Sequence, residues 1–267
     1  MGPKVVWRIL SVILALIGAG CDRPIRNDGV SPTPRATATI LPAAADPSIP
    51  DTCLSAAVDV VRFETSDGVT IVGALLGSGT RGVLLAHMGG TSQNLCVWMP
   101  FARTLADEGY LVLDLDLRGF GASGYAPGGR YDIDVLAAVE ELRRRGAKQV
   151  VLMGGSLGAI AALTATPQAR PPVDGVISLS SPAEAVGVTD LDIPAAVGQL
   201  TVPVLFVAAE GDGRFADDAR TLFRSTPSKD KELRILPGFD HGVDLFRFDL
   251  APRMERLALS FLERVET

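Results

Sequence analysis

The chain has 267 residues, of which 47% are hydrophobic and 21% are charged, and its formal net charge is −6. This apolar content favours a buried core over intrinsic disorder, and the length fits one large α/β domain or two small ones. The acidic charge, together with the lack of a run of lysine and arginine, argues against nucleic acid as a partner.

The first 20 residues predict an export signal. Lys4 and Arg8 supply a positive region, residues 9–17 form a short apolar core, and three small residues precede Cys21. That core is shorter than the roughly 20 residues that a membrane-spanning helix needs. The triplet ending at Cys21 resembles the lipobox of bacterial lipoproteins, in which the cysteine is lipidated and becomes the mature N-terminus. An ordinary cleaved signal and an uncleaved anchor are the alternatives.

Residues 22–52 predict an extended tether. They contain six prolines, many alanines and almost no large apolar side chains, so they bury too little surface to offset the entropy of ordering. An unstructured leader without a spacing role is the alternative. We therefore predict a signal peptide over residues 1–20, a lipidated Cys21 with its tether over residues 21–52, and a folded domain over residues 53–267. These segments predict that the protein is exported and anchored at the extracytoplasmic face of a cell-envelope membrane. They do not distinguish between an inner and an outer membrane.

The number of cysteines suggests a disulfide. A lipidated Cys21 leaves Cys53 and Cys96 as a pair in an oxidising compartment. We hypothesise a bond that fastens the start of the domain to the helix after the third strand. The alternative is that both are small buried hydrophobic side chains. Two free thiols in the mass spectrum of the unreduced protein would reject the disulfide.

From about residue 57 the sequence alternates between strand and helix patterns. Two alternating segments around the turn Ser66-Asp67-Gly68 predict an antiparallel hairpin over residues 58–64 and 69–76. Apolar runs predict further strands at residues 82–86, 110–115, 150–153, 176–179, 204–207 and 232–236. Helical patterns lie at residues 97–108, 131–145, 156–164, 214–225 and 250–265. This alternation predicts a mostly parallel eight-stranded sheet with helices on both faces.

The pentapeptide Gly154–Gly158 is the most informative motif of the chain. Its sequence Gly-Gly-Ser-Leu-Gly follows an apolar strand and opens a helical segment, which is the context of the G-x-S-x-G turn that presents a nucleophilic serine. Glycines suit that strained turn because they have no Cβ. We predict Ser156 as the nucleophile. A serine hydroxyl is weakly nucleophilic at neutral pH, so a base must lie beside it.

This layout, with the turn after the fifth strand, resembles the α/β-hydrolase superfamily over roughly residues 57–264. The block His-Met-Gly-Gly at residues 87–90 and the block Asp-Leu-Arg-Gly-Phe-Gly-Ala-Ser at residues 116–123 look like two further motifs of that superfamily. The resemblance implies a serine hydrolase without a cofactor, in a branch similar to dienelactone hydrolases or serine aminopeptidases. We interpret Arg118, Gly119 and Ser123 as stabilising the fold. About twenty residues, Pro182–Leu200, are too few for a large cap domain and predict an open pocket.

The resemblance also supplies candidates for the base and the acid. The superfamily places its catalytic histidine after the last strand, where His241 stands, and His87 at the end of the third strand is the alternative. A carboxylate should orient the imidazole, in the chain order serine, acid, histidine. Asp212, directly after the seventh strand, is the candidate acid, with Glu210 and Asp240 as alternatives.

An oxyanion hole needs two backbone N–H donors. Leu157, directly after the nucleophile, is predicted to supply the first. The second is expected from the loop after the third strand, from either Met88 or Gly89. The alternative is that the glycines of this loop serve only a tight turn.

The predicted function is hydrolysis of small esters through an acyl-enzyme intermediate. A single-domain serine peptidase or aminopeptidase, a thioesterase, and a catalytically silent binding lipoprotein on the same fold are the alternatives. Serine in the turn disfavours dehalogenases and epoxide hydrolases, which use aspartate there. The sequence shows no metal-ligand cluster or dinucleotide-type glycine loop, so we expect no metal and no cofactor. The natural substrate and the oligomeric state stay open.

Overall fold

A computed structural model describes Cys53, residues 58–87 and residues 94–265. The predictions for the signal peptide, Cys21, the tether, Met88 and Gly89 therefore lie outside the described residues. Within these ranges, none of the helices combines the length and the apolar character that a membrane span requires.

Eight strands form one sheet, in the spatial order β1-β2-β4-β3-β5-β6-β7-β8. The strands are β1 (Asp59–Glu64), β2 (Thr70–Leu76), β3 (Arg81–His87), β4 (Leu111–Asp116), β5 (Gln149–Gly155), β6 (Gly175–Leu179), β7 (Val204–Ala209) and β8 (Lys231–Leu236). The β1–β2 and β2–β4 pairs are antiparallel, and the five other pairs are parallel. The predicted mostly parallel, eight-stranded sheet is thus confirmed.

Helices cover both faces of this sheet. Among the described residues the α-helices are α1 (Met99–Asp107), α2 (Tyr131–Arg144), α3 (Leu157–Ala165), α4 (Ile193–Val197), α5 (Phe215–Ser225) and α6 (Ala251–Val265). One apolar cluster joins the sheet to α2, α3, α4 and α5, and a second joins the opposite face to α1 and α6. The central strands are buried on both faces, which explains why their sequences are continuous apolar runs rather than alternating ones.

The predicted helix at residues 97–108 differs most from the structure. A short 3-10 turn, Leu95–Val97, comes first, and the α-helix begins at Met99. Pro100 in the first turn explains this start, because proline has no N–H to donate and its fixed φ suits the first helical residues. A five-residue helix, α4, forms within Pro182–Leu200, so the described segment between β6 and β7 contains no large cap.

The block at residues 116–123 ties the hairpin to the sheet. Arg118 donates hydrogen bonds through Nε to Asp134 at 2.8 Å and through Nη1 to Asp67 at 2.7 Å. The Arg118 guanidinium holds the pKa of the Asp67 carboxyl well below its usual range. Ser123 Oγ donates to the Asp116 carbonyl at 2.6 Å and accepts from the Val72 N–H at 2.9 Å. These contacts are structural, in keeping with the interpretation of Arg118 and Ser123 from the sequence.

Cys53 and Cys96 are joined by a disulfide, with their Cα atoms 5.3 Å apart. The Cys53 carbonyl also accepts a hydrogen bond of 3.0 Å from Arg103 Nη2 on α1. The neighbouring Leu95 N–H donates to Asp116 Oδ1, at the end of β4, at 2.8 Å. Cys53 is therefore fastened close to the carboxyl end of the sheet.

Asp114 is an unexpected side chain in the core. It lies on β4, is fully buried, and finds no hydrogen-bond partner for either carboxylate oxygen within the described ranges. Burial raises the pKa of this carboxyl well above its usual value, and the nearby Asp116 acts in the same direction. The folded chain therefore retains a proton on Asp114 that the unfolded chain releases above about pH 3.9.

This proton gives a pH dependence of known sign. Between about pH 4 and the raised pKa of the folded carboxyl, only the folded state binds this proton, so the group should lower the free energy of unfolding by up to about 1.4 kcal/mol per pH unit as pH rises. Asp114→Asn removes the titration and should therefore gain stability relative to the wild type between pH 5 and pH 8. Denaturant unfolding at both pH values measures this gain. A gain of the same size at both would contradict the assignment.

Candidate active site

Ser156 lies in a strained turn between β5 and α3. Its backbone has φ +53° and ψ −115°, a conformation that side chains with a Cβ rarely adopt. The Ser156 N–H donates to the Leu179 carbonyl at 2.9 Å, which fastens the turn to the end of β6. The side chain is partly exposed at the carboxyl edge of the sheet. The turn therefore presents the Ser156 side chain at this edge of the sheet.

Two glycines of the motif are required by close backbone approaches. A Cβ on Gly154 would overlap the carbonyl of Gly158, and a Cβ on Gly158 would overlap the carbonyl of Ala86 on β3. The helix can therefore start directly above the strand only if neither residue has a side chain. This explains the motif sterically, independently of any chemistry.

His241 and Asp212 form a hydrogen-bonded pair. Asp212 follows β7, His241 follows β8, and His241 Nδ1 lies 3.0 Å and 2.9 Å from Asp212 Oδ1 and Oδ2. The Asp212 side chain is 9% exposed and that of His241 is 35% exposed. A neutral imidazole that donates from Nδ1 to the carboxylate leaves Nε2 as the acceptor, which is the tautomer that a general base needs.

The loop that carries His241 packs on the backbone of Gly155 and Ser156. A Cβ placed on Gly155 would lie 3.3 Å from the Gly242 Cα, and one placed on Gly242 would lie 3.5 Å from the Ser156 backbone nitrogen. Gly242 itself has φ +56°, which favours glycine. The ring of Phe215, the first residue of α5, lies 4.4 Å from the imidazole ring of His241, measured between centroids. The three predicted residues thus meet at one edge of the sheet.

The alternative candidates lie elsewhere. The carboxylate bonded to His241 is that of Asp212, whereas the exposed Glu210 and the sequence neighbour Asp240 make no such bond. His87 is buried at the end of β3, where it pairs in register with Asp116 and Gly155. The structure therefore brings His241, rather than His87, to the Asp212 carboxylate.

Leu157 is the first residue of α3 and follows Ser156 directly. The first N–H groups of a helix have no partner within it, and they lie at the positive end of the helix dipole. The backbone N–H of Leu157 can therefore donate a hydrogen bond to an oxyanion formed beside Ser156. The predicted second donor, Met88 or Gly89, lies outside the described residues.

Ser180 belongs to the site, although sequence reasoning missed it. It directly follows β6, is fully buried and has φ +48°. Its Oγ donates to Asp212 Oδ2 at 2.7 Å and accepts from the Gly242 N–H at 3.0 Å. One hydroxyl thus holds both the acid and the backbone beside His241. Its place at the carboxyl end of a strand is a weak signal, since the sequence Ser180-Ser181-Pro182 is also typical of a turn.

Ser180→Ala should lower kcat about tenfold, because a hydrogen bond to a charged group contributes about 1.5–3 kcal/mol. Ser180→Gly should lose as much kcat while relieving the backbone strain, which separates the hydroxyl from the conformation. In an Asp212→Asn background the same change should cost less than threefold, because both act through one imidazole. Steady-state kinetics on a soluble ester measure all four variants. Full additivity would contradict a positioning role.

A cavity of about 370 Å³ opens beside Ser156. Its walls are mostly apolar and come from α3, the loop after β6 and the start of α5: Leu157, Ile160, Ala185, Val186, Val188 and Phe215. Arg214 at its edge donates to the Glu184 carbonyl at 3.0 Å and to Asp218 at 2.6 Å. Among the described residues, no cluster of His, Cys, Asp and Glu is suited to hold a metal ion.

Known proteins share this architecture. A family model described as the alpha/beta hydrolase fold matches residues 82–197, the segment that contains the Ser156 turn. The chain has the α/β-hydrolase fold. No curated protein sequence gives a match, so likeness to relatives rests on solved structures.

The solved structures with this α/β-hydrolase fold include several esterases. An esterase from Pyrococcus furiosus has 18% identity and a TM-score of 0.65, covering 78% of this chain and 92% of its own. The esterase domain of a Rhodothermus marinus protein has 21% identity and a TM-score of 0.63, covering 78% and 98%. A thermophilic esterase from Thermogutta terrifontis has 19% identity and a TM-score of 0.63, covering 78% and 100%. Identities this low establish the fold, and function must be argued from the site.

Proposed function

We propose that this protein is a serine hydrolase that cleaves small esters through an acyl-enzyme intermediate. The observation that carries the proposal is the His241–Asp212 pair, bonded at 2.9–3.0 Å, on a loop that packs against the strained Ser156. A serine, a histidine and a carboxylate in this arrangement supply a nucleophile, a base and a group that orients the base. The similarity of the fold to that of esterases is consistent with this chemistry.

In the proposed reaction Ser156 Oγ attacks the ester carbonyl while His241 Nε2 accepts its proton. The carbonyl oxygen becomes an oxyanion, to which the Leu157 N–H donates; such donors contribute about 2.7–4 kcal/mol to catalysis in other hydrolases. The C–O bond to the alcohol then breaks, and the imidazolium returns its proton to the leaving alcohol. Asp212 stabilises the imidazolium but stays ionised.

Water completes the cycle. It attacks the acyl-enzyme, His241 accepts a proton from it, and Ser156 leaves with a proton returned by the imidazolium, releasing the carboxylic acid. The cavity of about 370 Å³ is small and mostly apolar, which suits a short acyl group. A peptidase and a thioesterase would share the fold but cleave a different bond. A catalytically silent binding protein would share the fold and cleave no substrate.

A fluorophosphonate probe and a substrate panel test this proposal. The wild type should be labelled at Ser156, and His241→Ala should lose the label. Short-chain nitrophenyl esters should be hydrolysed faster than long-chain esters, thioesters and aminoacyl anilides. Activity confined to the anilides would favour the peptidase, and absence of labelling would favour the silent binding protein.

We further propose that the protein is an exported lipoprotein held at a membrane through Cys21. Support comes from the pattern of residues 1–20 and from the Cys53–Cys96 disulfide, which is typical of an oxidising compartment. Mass spectrometry of the protein from its membrane fraction should find a lipid-modified N-terminal Cys21. Cys21→Ser should abolish the modification and release the protein from the membrane.

A further inference from the structure

Of the five large apolar side chains that the described residues expose, four follow the carboxyl ends of strands, and the fifth, Phe248, lies in the 3-10 turn before α6. Tyr125, Val186, Val188 and Phe239 are 78%, 90%, 60% and 82% exposed. Tyr125 follows the carboxyl end of β4, the two valines follow that of β6, and Phe239 follows that of β8. We call these four residues the apolar rim.

The apolar rim borders the proposed nucleophile and the proposed acid. Val186 and Val188 line the same cavity as Ser156, and Val188 and Tyr125 line the neighbouring cavity. On the other side, the ring of Phe239 packs against Gly211, directly before Asp212; a Cβ on Gly211 would overlap that ring. Exposed apolar side chains concentrated in this way mark a surface that meets a partner.

We propose that the apolar rim docks on a zwitterionic lipid surface, so that the pocket beside Ser156 opens at the membrane interface. The substrate is then an ester with a short acyl group that resides in or on that surface; this part rests on the proposed hydrolase function, whereas docking does not. The rim residues enter the interface, where their exposed apolar area is removed from water.

The attachment of the chain favours a membrane as the occupant. Cys53 forms a disulfide with Cys96, and the N–H of Leu95, the residue before Cys96, donates a hydrogen bond to Asp116 at the carboxyl end of β4. The predicted tether therefore reaches the domain near the edge that carries the rim. Only 31 residues separate Cys21 from Cys53, and an ideal flexible chain of that length spans about 30 Å, less than the roughly 40 Å diameter of such a domain. An anchor at Cys21 would keep the rim at a high effective concentration near the lipid.

Charge determines which lipid suits the rim. Glu184 and Asp190 are exposed beside Val186 and Val188, and the whole chain carries a net charge of −6. Anionic headgroups would repel this edge, whereas zwitterionic headgroups would not. Phosphatidylcholine vesicles are therefore the appropriate probe.

Tryptophan quenching tests docking without any enzymatic readout. The full chain is placed on phosphatidylcholine vesicles whose acyl chains carry bromine, which quenches tryptophan on contact. Phe239→Trp should lose at least half of its added emission. Lys148→Trp is the matched control, because Lys148 is exposed before the amino end of β5, and its added emission should change by less than a tenth. The native Trp7 and Trp98 are present in both variants, so the added emission is the difference from the wild type. Equal quenching of the two, or none at residue 239, would overturn the proposal.

A kinetic comparison tests the substrate. The double variant Tyr125→Ser with Phe239→Ser should hydrolyse an ester embedded in the same vesicles about fivefold more slowly than the wild type, and soluble nitrophenyl acetate within twofold of it. Lys148→Ser should change neither rate. An unchanged rate on the embedded ester would overturn the lipid-borne substrate. If the wild type cleaves neither ester, the proposed function fails, while the quenching experiment still decides the docking.

Discussion

Replacing Ser156 with alanine should lower kcat for ester hydrolysis by about 10⁶-fold, by analogy with measured removals of a catalytic serine. The turn should keep its conformation, because alanine, like serine, has a Cβ and is strained to the same extent at φ +53°. The variant would lose only the oxygen that forms the acyl-enzyme. Residual turnover would come from the oxyanion donor and from binding. Rates on nitrophenyl acetate, with the fluorophosphonate label as a second readout, measure the loss.

Two control variants sharpen this experiment. Ser225→Ala removes an exposed hydroxyl that donates to the Thr221 carbonyl on α5, and it should keep full activity. Ser156→Gly should be as inactive as Ser156→Ala but more stable by about 1 kcal/mol, because glycine relieves the strained backbone. Activity of Ser156→Ala above one hundredth of the wild type would exclude Ser156 as the nucleophile.

Asp212→Asn should lower kcat at neutral pH by about 10⁴-fold, by analogy with the corresponding change in a serine protease. The amide is nearly isosteric with the carboxylate but carries no charge to stabilise the imidazolium. It would also present N–H groups toward His241 Nδ1 and Ser180 Oγ, which now bond to the carboxylate at 2.9 Å and 2.7 Å. The imidazole would then favour the tautomer with its proton on Nε2, which cannot accept a proton from Ser156.

The competing carboxylates supply the controls for Asp212. Glu210→Gln and Asp240→Asn remove charges of the same sign from the same edge, yet neither group is bonded to the imidazole. Both variants should keep kcat within about threefold of the wild type, because the Asp212 carboxylate that bonds His241 Nδ1 stays in place. A larger loss in Asp240→Asn than in Asp212→Asn would mean that the acid has been assigned to the wrong residue.

The local elements were predictable because their signals are local. The predicted strand at residues 204–207 lies within β7, and the predicted helix at residues 214–225 matches α5 to within one residue. Burial on both faces leaves a continuous apolar run, and burial on one face of a helix leaves a 3.6-residue period. The start of α1 was less predictable, because a 3-10 turn and Pro100 compete with the helical pattern at that point.

The sequence by itself determined the strand–turn–helix context of Ser156 and the alternating strands and helices of the parallel sheet, because these depend on residues close in sequence. Only the tertiary structure decided that Asp212, rather than Glu210 or Asp240, holds His241, and that Ser180 holds Asp212. Those bonds join residues 29 and 32 positions apart. They form because β6, β7 and β8 lie side by side and bring the ends of three strands together. The apolar rim likewise combines loops that are distant in sequence. The sequence alone therefore did not indicate this surface, because the sheet brings those loops to one edge.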